Sequence, residues 1–261
     1  MPASRRRSVL SVLFLLCSLG YAEVVYPGFG LIAHIADGGG IQVEFTLTNL
    51  DDTASNYYLR CYDDNGNPLS LATNAGTHSE FVGTLAPHAS LSIRTAGNAE
   101  KSTQGWASII TNGGNVGVST VFRFSVGPWT GSEAVVPADT WRNNRFLLAF
   151  DHTGSAVTGL ALVNPSSTIP IAVTVTFRDE NGRVIVSDMF TLGSYAHRSM
   201  TATSSYPATV GRSGTIDIST TGDFMSVVAL RVGPSAISFV PPMVASKWAV
   251  GNVGCGGCWD Y

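Results

Sequence analysis

Charge is scarce in this chain. Only 13% of its 261 residues are Asp, Glu, Lys or Arg, about half the share of roughly 25% in an ordinary soluble domain. That argues against a coiled coil, an acidic disordered tail or a nucleic-acid binder, all of which are charge-rich. Lysine is nearly missing, with Lys101 and Lys247 the two present. So few cations do not neutralise a run of phosphates, which argues against nucleic acid and anionic membrane as partners. The 4 Cys in 261 residues are too sparse for a disulfide-stapled miniprotein.

Catalytic signatures are missing as well. The five His (His34, His78, His88, His152 and His197) show no metal-motif spacing and no H-E-x-x-H. No G-x-S-x-G nucleophile turn occurs. The glycine runs at 37–40 and 112–115 precede strand patterns, whereas a phosphate cradle needs a helix N-terminus after its glycines. Asp63-Asp64-Asn65-Gly66 opens like a calcium loop, but Pro68 and Asn74 stand where Gly and Glu belong. It reads as an Asn-Gly hairpin turn. The expectation is no enzyme, no cofactor and no metal site.

What is present begins with an export signal. Arg5, Arg6 and Arg7 precede an apolar run from Val9 to Leu19, and Gly20-Tyr21-Ala22 offers small residues for cleavage. Residues 1–22 are expected to be removed. The paired Arg leaves twin-Arg export open beside the general route. Loss of three Arg leaves 12 basic against 18 acidic residues, a net charge of −6. No later apolar run reaches the roughly 18 residues a membrane span needs. The chain is expected to be secreted, periplasmic or on the cell surface.

The most informative feature is an internal repeat. Gln42–Asn49 matches Val157–Asn164, and Tyr57–Gly66 matches Val173–Gly182. Leu85 matches Leu192, and Gly105–Ile109 matches Gly214–Ile218. Ser119–Arg123 matches Val227–Arg231, and both copies close on Val-Pro, at Val136-Pro137 and Val240-Pro241. Within each copy the apolar residues alternate with period two, are rich in Val, Ile, Thr, Phe and Tyr, and are separated by turn residues. About seven short strands fit in each copy, which predicts an all-β fold of two tandem, internally duplicated immunoglobulin-like β-sandwiches. The expected boundaries are 23–137 and 138–242, with a Cys-containing tail at 243–261.

These strands, the D-x-N-G hairpin, the L-A-P-like turn, the glycine-initiated strand at Gly105 and the closing Val-Pro resemble a tandem β-sandwich repeat of secreted proteins from environmental bacteria. The resemblance covers residues 26–242. It implies the fold and the compartment, and it carries no catalytic residues to transfer.

Several side chains invite a reading. Trp129, in Val-Gly-Pro-Trp, is either a stacking platform for a sugar or partner or local packing over the domain junction. Trp106 is expected in core or rim. Cys61 aligns with Phe177, Leu59 with Val175 and Tyr57 with Val173, all in the apolar phase, so Cys61 is expected to be a buried small hydrophobe. Arg123 and Arg231 are expected to make a shared structural ion pair or carbonyl clamp at a sheet edge, with ligand binding as the alternative. Cys255 and Cys258 are a candidate disulfide, with intermolecular pairing and redox or metal chemistry as alternatives. The functional expectation is a non-enzymatic protein for adhesion, matrix or partner binding. A carbohydrate-binding module and an extracellular hydrolase with a site formed only in three dimensions are the alternatives.

Overall fold

The computed structural model describes residues 28–140, 142–222 and 224–244; Cys255 and Cys258 lie outside them, as do residues 1–22. The first half runs β1 (Phe29–Asp37), β2 (Ile41–Asn49), β3 (Ser55–Asp63), β4 (Leu71–Thr73), β5 (Gly76–His78), β6 (Glu80–Leu85), β7 (Ser90–Arg94), β8 (Thr103–Thr111), β9 (Val116–Phe124) and β10 (Glu133–Pro137). The second half runs β11 (Arg145–Asp151), β12 (Val157–Val163), β13 (Ile171–Asp179), β14 (Val184–Leu192), β15 (His197–Thr201), a short helix α1 (Ala202–Ser205), β16 (Ser213–Thr220), β17 (Ser226–Val232), β18 (Ile237–Val240) and β19 (Met243–Val244). The fold is all-β, with antiparallel sheets consistent with β-sandwich layering.

Four main sheets form. Sheet I has the order β1-β8-β3-β6, and sheet II the order β10-β9-β2-β7. Sheet III is β14-β13-β16-β11-β19, and sheet IV is β15-β12-β17-β18. Strand for strand, β1-β8-β3-β6 recurs as β11-β16-β13-β14, and β10-β9-β2-β7 as β18-β17-β12-β15. The additions are the β4-β5 ribbon in the first half and the β19 edge in the second.

Alternation explains which residues turn inward. Val43, Phe45 and Leu47 on β2 are fully buried, as are Leu59 on β3 and Val173, Val175 and Phe177 on β13. Cys61 is buried with them, and burial pushes its thiol up to about 12. That makes it an inert core residue, as expected.

Two devices recur in both halves. Asn49 is buried, and its Nδ2 donates to the carbonyls of Thr53, Leu85 and Ala86 while Oδ1 accepts from the Asp51 N–H. Asn164 does the same with Ile169, Leu192, Gly193 and Ser166. Each Asn satisfies backbone groups of a turn that would otherwise be buried unpaired. Likewise Asp63 Oδ1 accepts from the N–H groups of Asn65 and Asn67, and Asp179 Oδ1 from those of Asn181 and Arg183. Both Asn-Gly segments are therefore side-chain-braced turns. Gly105 and Gly214 are also required, because a Cβ there would lie 2.0 Å from the carbonyl oxygen of Tyr62 or Arg178.

The arginine expectation holds in kind but not in position. Arg123 pairs across the ladder with Gln42, and Arg231 with Thr158. Gln42 corresponds to Val157, so the two Arg are one residue out of step and face opposite sides of their sheets. Arg123 bonds Glu44 and Glu133, whereas Arg231 reaches Asp151 at 3.2 Å. Each Arg thus makes a structural ion pair, but the two pairs are not at equivalent positions. A one-residue slip in a strand exchanges its faces.

Candidate functional site

The two halves share one core. Ala161, Val163, Val228 and Ile237 of sheet IV belong to the same buried cluster as Ile35, Phe45, Trp106 and Phe122 of the first half. Leu160, Leu162, Val227 and Ala229 of those strands belong instead to the second half's own core. Sheet IV is thus apolar on both faces. One face closes its own sandwich, and the other closes against the first half, next to the edge strands β1 and β10.

Among the described residues polar groups cross this seam at five places, one of them the Ser132 hydroxyl donating to the Ser235 carbonyl at 3.4 Å. The Trp129 indole N–H donates to the Gly233 carbonyl at 2.7 Å, and its half-buried ring packs on the shared core. The Trp106 indole N–H donates to the Tyr195 carbonyl at 2.9 Å. Tyr62 stacks on Trp106 with ring centroids 4.5 Å apart, and Tyr195 lies 5.1 Å from Tyr62. Ser199 Oγ donates to Gln104 Oε1 at 2.5 Å. The last crossing is a chain of ionisable groups. His197 Nδ1 donates to Asp64 Oδ1 at 2.7 Å, and His197 Nε2 lies 3.2 Å from His34 Nδ1.

Local structure explains how these groups meet. His34 sits where the β1 ladder shifts register between Ile32 and Ile35, a bulge of the kind that re-aims a side chain. Its ring stacks on Phe122 at 5.8 Å and on His197 at 5.3 Å. His197 starts β15, and its N–H donates to the Asp64 carbonyl at 3.0 Å. Tyr195 has φ 55° and His88, at the matching place in the first half, φ 56°. The left-handed conformation therefore belongs to the turn and is not strain stored for function. Gly66 admits Tyr195, since a Cβ there would lie 2.5 Å from the Tyr195 Cβ.

Burial lowers the pKa of both seam histidines. His34 falls to about 3 through burial and then the neighbouring His197. His197 falls because burial outweighs Asp64 and the Ala33 carbonyl, which both favour its charged form. His152 lies elsewhere, buried between the hydroxyls of Thr158 and Thr209 at 3.0 and 3.2 Å, a satisfied core histidine. Among the described residues no group of three or more His, Cys, Asp or Glu is placed to hold a metal ion.

One outer face carries a partly exposed apolar row, with Val82 exposed and Tyr58, Ile110 and Phe29 half-buried. Val82, Tyr58, Ile110 and Phe29 lie opposite one another across all four strands of sheet I. Val82 is 57% exposed. The row is flanked by the Arg60–Glu80 ion pair at 2.9 Å. At its β1 end it runs into a cleft of about 320 Å³ lined by Phe29, Phe224, Arg142 and Ile169. The Arg142 guanidinium sits 4.8 Å from the centre of the Phe224 ring.

The sequence singled out none of His34, His197, Asp64 and Tyr195 as a site. A signal for the seam did exist. Val157, Gly159, Ala161 and Val163, the outward phase of β12, are all small or apolar, as in a strand covered on both faces. No protein-family model matches the chain, and a search of curated proteins finds no match.

Proposed function

We propose that this chain is a secreted or cell-surface protein that binds a partner without transforming it, built from two duplicated immunoglobulin-like sandwiches. Four observations support the duplication: the recurring strand order, the paired Asn49 and Asn164 clamps, the matched Asp63 and Asp179 turns, and the matched Gly105 and Gly214 contacts. The leader pattern supports export.

The observation that carries the binding reading is the row Val82, Tyr58, Ile110 and Phe29 leading into the cleft between the halves. Apolar clefts with a few convergent polar groups, placed where two units meet, are where ligands bind. Exposed apolar rows with a charged rim suit a protein surface. The partner is an extended polypeptide laid along the row, with Arg142 at the end of its path. Wild type and the double variant Val82→Glu/Ile169→Glu are compared on an array of random peptides. Hits lost in the variant support the reading; an unchanged hit profile overturns it.

The carbohydrate reading through Trp129 has less behind it. That indole N–H is committed to Gly233, so we assign Trp129 to holding the seam. Trp129→Ala is expected to lower the melting temperature and to leave a glycan-array profile as it was. Glycan hits lost selectively in this variant would restore the carbohydrate reading.

A further inference from the structure

We propose that Asp64, His197 and His34 form an acid-released latch between the two halves. The argument is one of proton counting. The Asp64 carboxylate only accepts, so His197 Nδ1 carries a proton toward it at 2.7 Å. His197 Nε2 and His34 Nδ1 face each other at 3.2 Å, and the space between them holds one proton. When both rings are neutral, His34 donates to His197. A first added proton resides on His197, between the Asp64 carboxylate, the Ala33 carbonyl and His34, whose ring turns to its other tautomer. A second proton puts an N–H on both facing nitrogens. The hydrogen bond is then lost and two cations oppose each other within the seam.

Among the described residues no acidic side chain other than Asp64 is seen against the pair to offset that second charge, and His34 itself is half-buried. The His197 side chain is fully buried, and Asp64, the carboxylate that touches the pair, is half-exposed and already engaged. From β9 the neighbour is Phe122. On β8, Gln104, which bonds Ser199, is uncharged. Arg198 on β15 lies over the Phe190 ring at 4.0 Å, and Asp139 meets β1 further along, at Leu31. The lowered pKa of both rings agrees in sign. A histidine whose folded pKa is depressed contributes stability that is complete above its ordinary value of 6.5 and is lost as pH falls toward the folded value. The latch thus holds near neutrality and weakens in acid. Release uncovers the apolar outer face of sheet IV, with Ala161, Val163 and Val228.

Amide hydrogen exchange between pH 7 and pH 4, corrected for intrinsic rates, tests this inference. The reporter is the His197 amide, which bonds Asp64 across the seam, and the control is Val175 in the second half's own core. Protection at His197 is expected to fall at least tenfold in acid while Val175 keeps its own. In His34→Gln, which still donates but gains no proton, the loss at His197 should be several-fold smaller than in wild type, leaving only the part that His197 itself contributes. Equal loss in wild type and His34→Gln, or no loss in wild type, overturns the latch. Should His34→Gln fail to fold, Asp64→Asn serves. Removing the carboxylate makes the charged His197 harder to hold, so release begins at higher pH. An unchanged release pH overturns the proposal.

Discussion

Sheets II and IV are counterparts in strand order, yet their outer faces differ in kind. On sheet II the outward residues of β2 are Gln42, Glu44, Thr46 and Thr48, and Glu44 anchors a polar network with Ser92, Arg94 and Arg123. On sheet IV the matching positions are Val157, Gly159, Ala161 and Val163. Ala161 and Val163 are buried against the first half. Sheets I and III diverge similarly. Tyr58, Arg60, Tyr62 and Trp106 on sheet I correspond to Thr174, Thr176, Arg178 and Thr215 on sheet III. The inward phase is kept apolar in both halves because each sandwich needs its core. The outward phase is free to change, and its changes decide which face meets water and which meets the other half.

The sharpest way to break this comparison is a charge at matched outward positions. Val163→Asp buries an unpaired carboxylate in the seam and should cost roughly 4 kcal/mol in urea unfolding. Thr48→Asp, its counterpart facing outward on sheet II, should change stability by less than about 0.5 kcal/mol. Similar costs at the two sites would erase the distinction between the faces. Next in size come the clamps. Asn49→Ala and Asn164→Ala each strand buried carbonyls and should each cost about 3 kcal/mol. Here the halves are expected to behave alike, and a difference above about 1 kcal/mol would show that one clamp is less buried than its twin.

The glycines of the two Asn-Gly turns separate turn chemistry from seam packing. Gly66 and Gly182 have φ of 82° and 76°. Gly182 has nothing within 4 Å of an added Cβ, whereas Gly66 meets Tyr195. Gly182→Ala should cost about 1 kcal/mol from backbone strain alone. Gly66→Ala should cost about 1 kcal/mol more, because it pushes on the seam. Equal melting temperatures for the two variants would remove Tyr195 from the account. The smallest effect is one of pH. The Ser92 hydroxyl, and after it the Arg123 guanidinium, lower the Glu44 pKa against the opposing effect of burial. A depressed carboxylate pKa contributes stability that is present above the ordinary 4.5 and is lost as pH falls through the folded value. Glu44→Gln should therefore flatten the acid limb of the stability profile below pH 4.5. An unchanged limb would count against the network. The seam histidines act from about 6.5 downward, so between 6.5 and 4.5 their contribution stands alone and can be told apart.

Much of the inward architecture was legible in the residues. The alignment of Tyr57, Leu59 and Cys61 with Val173, Val175 and Phe177 identified buried positions, because alternation on a strand is a local rule. The D-x-N-G turns were legible for the same reason. Arg123 and Arg231 show where such reading stops. Two similar strings invited an alignment one residue off, and only the ladder partners Gln42 and Thr158 reveal that the side chains face opposite ways. Trp129 was visible as a candidate, but nothing local says that its indole meets Gly233. The candidate site was less legible still. His34 and His197 are separated by 163 residues, and their meeting depends on a bulge and on the docking of two sheets.

By itself, then, the sequence determined the strands, their inward faces and the braced turns, since these follow from period-two patterning and short-range hydrogen bonding. Tertiary structure alone decided the rest. Which outer face becomes an interface, which indole bolts it, and which carboxylate and histidines share a proton all depend on surfaces distant in the chain, brought together by burial of apolar area that has no fixed spacing to announce it.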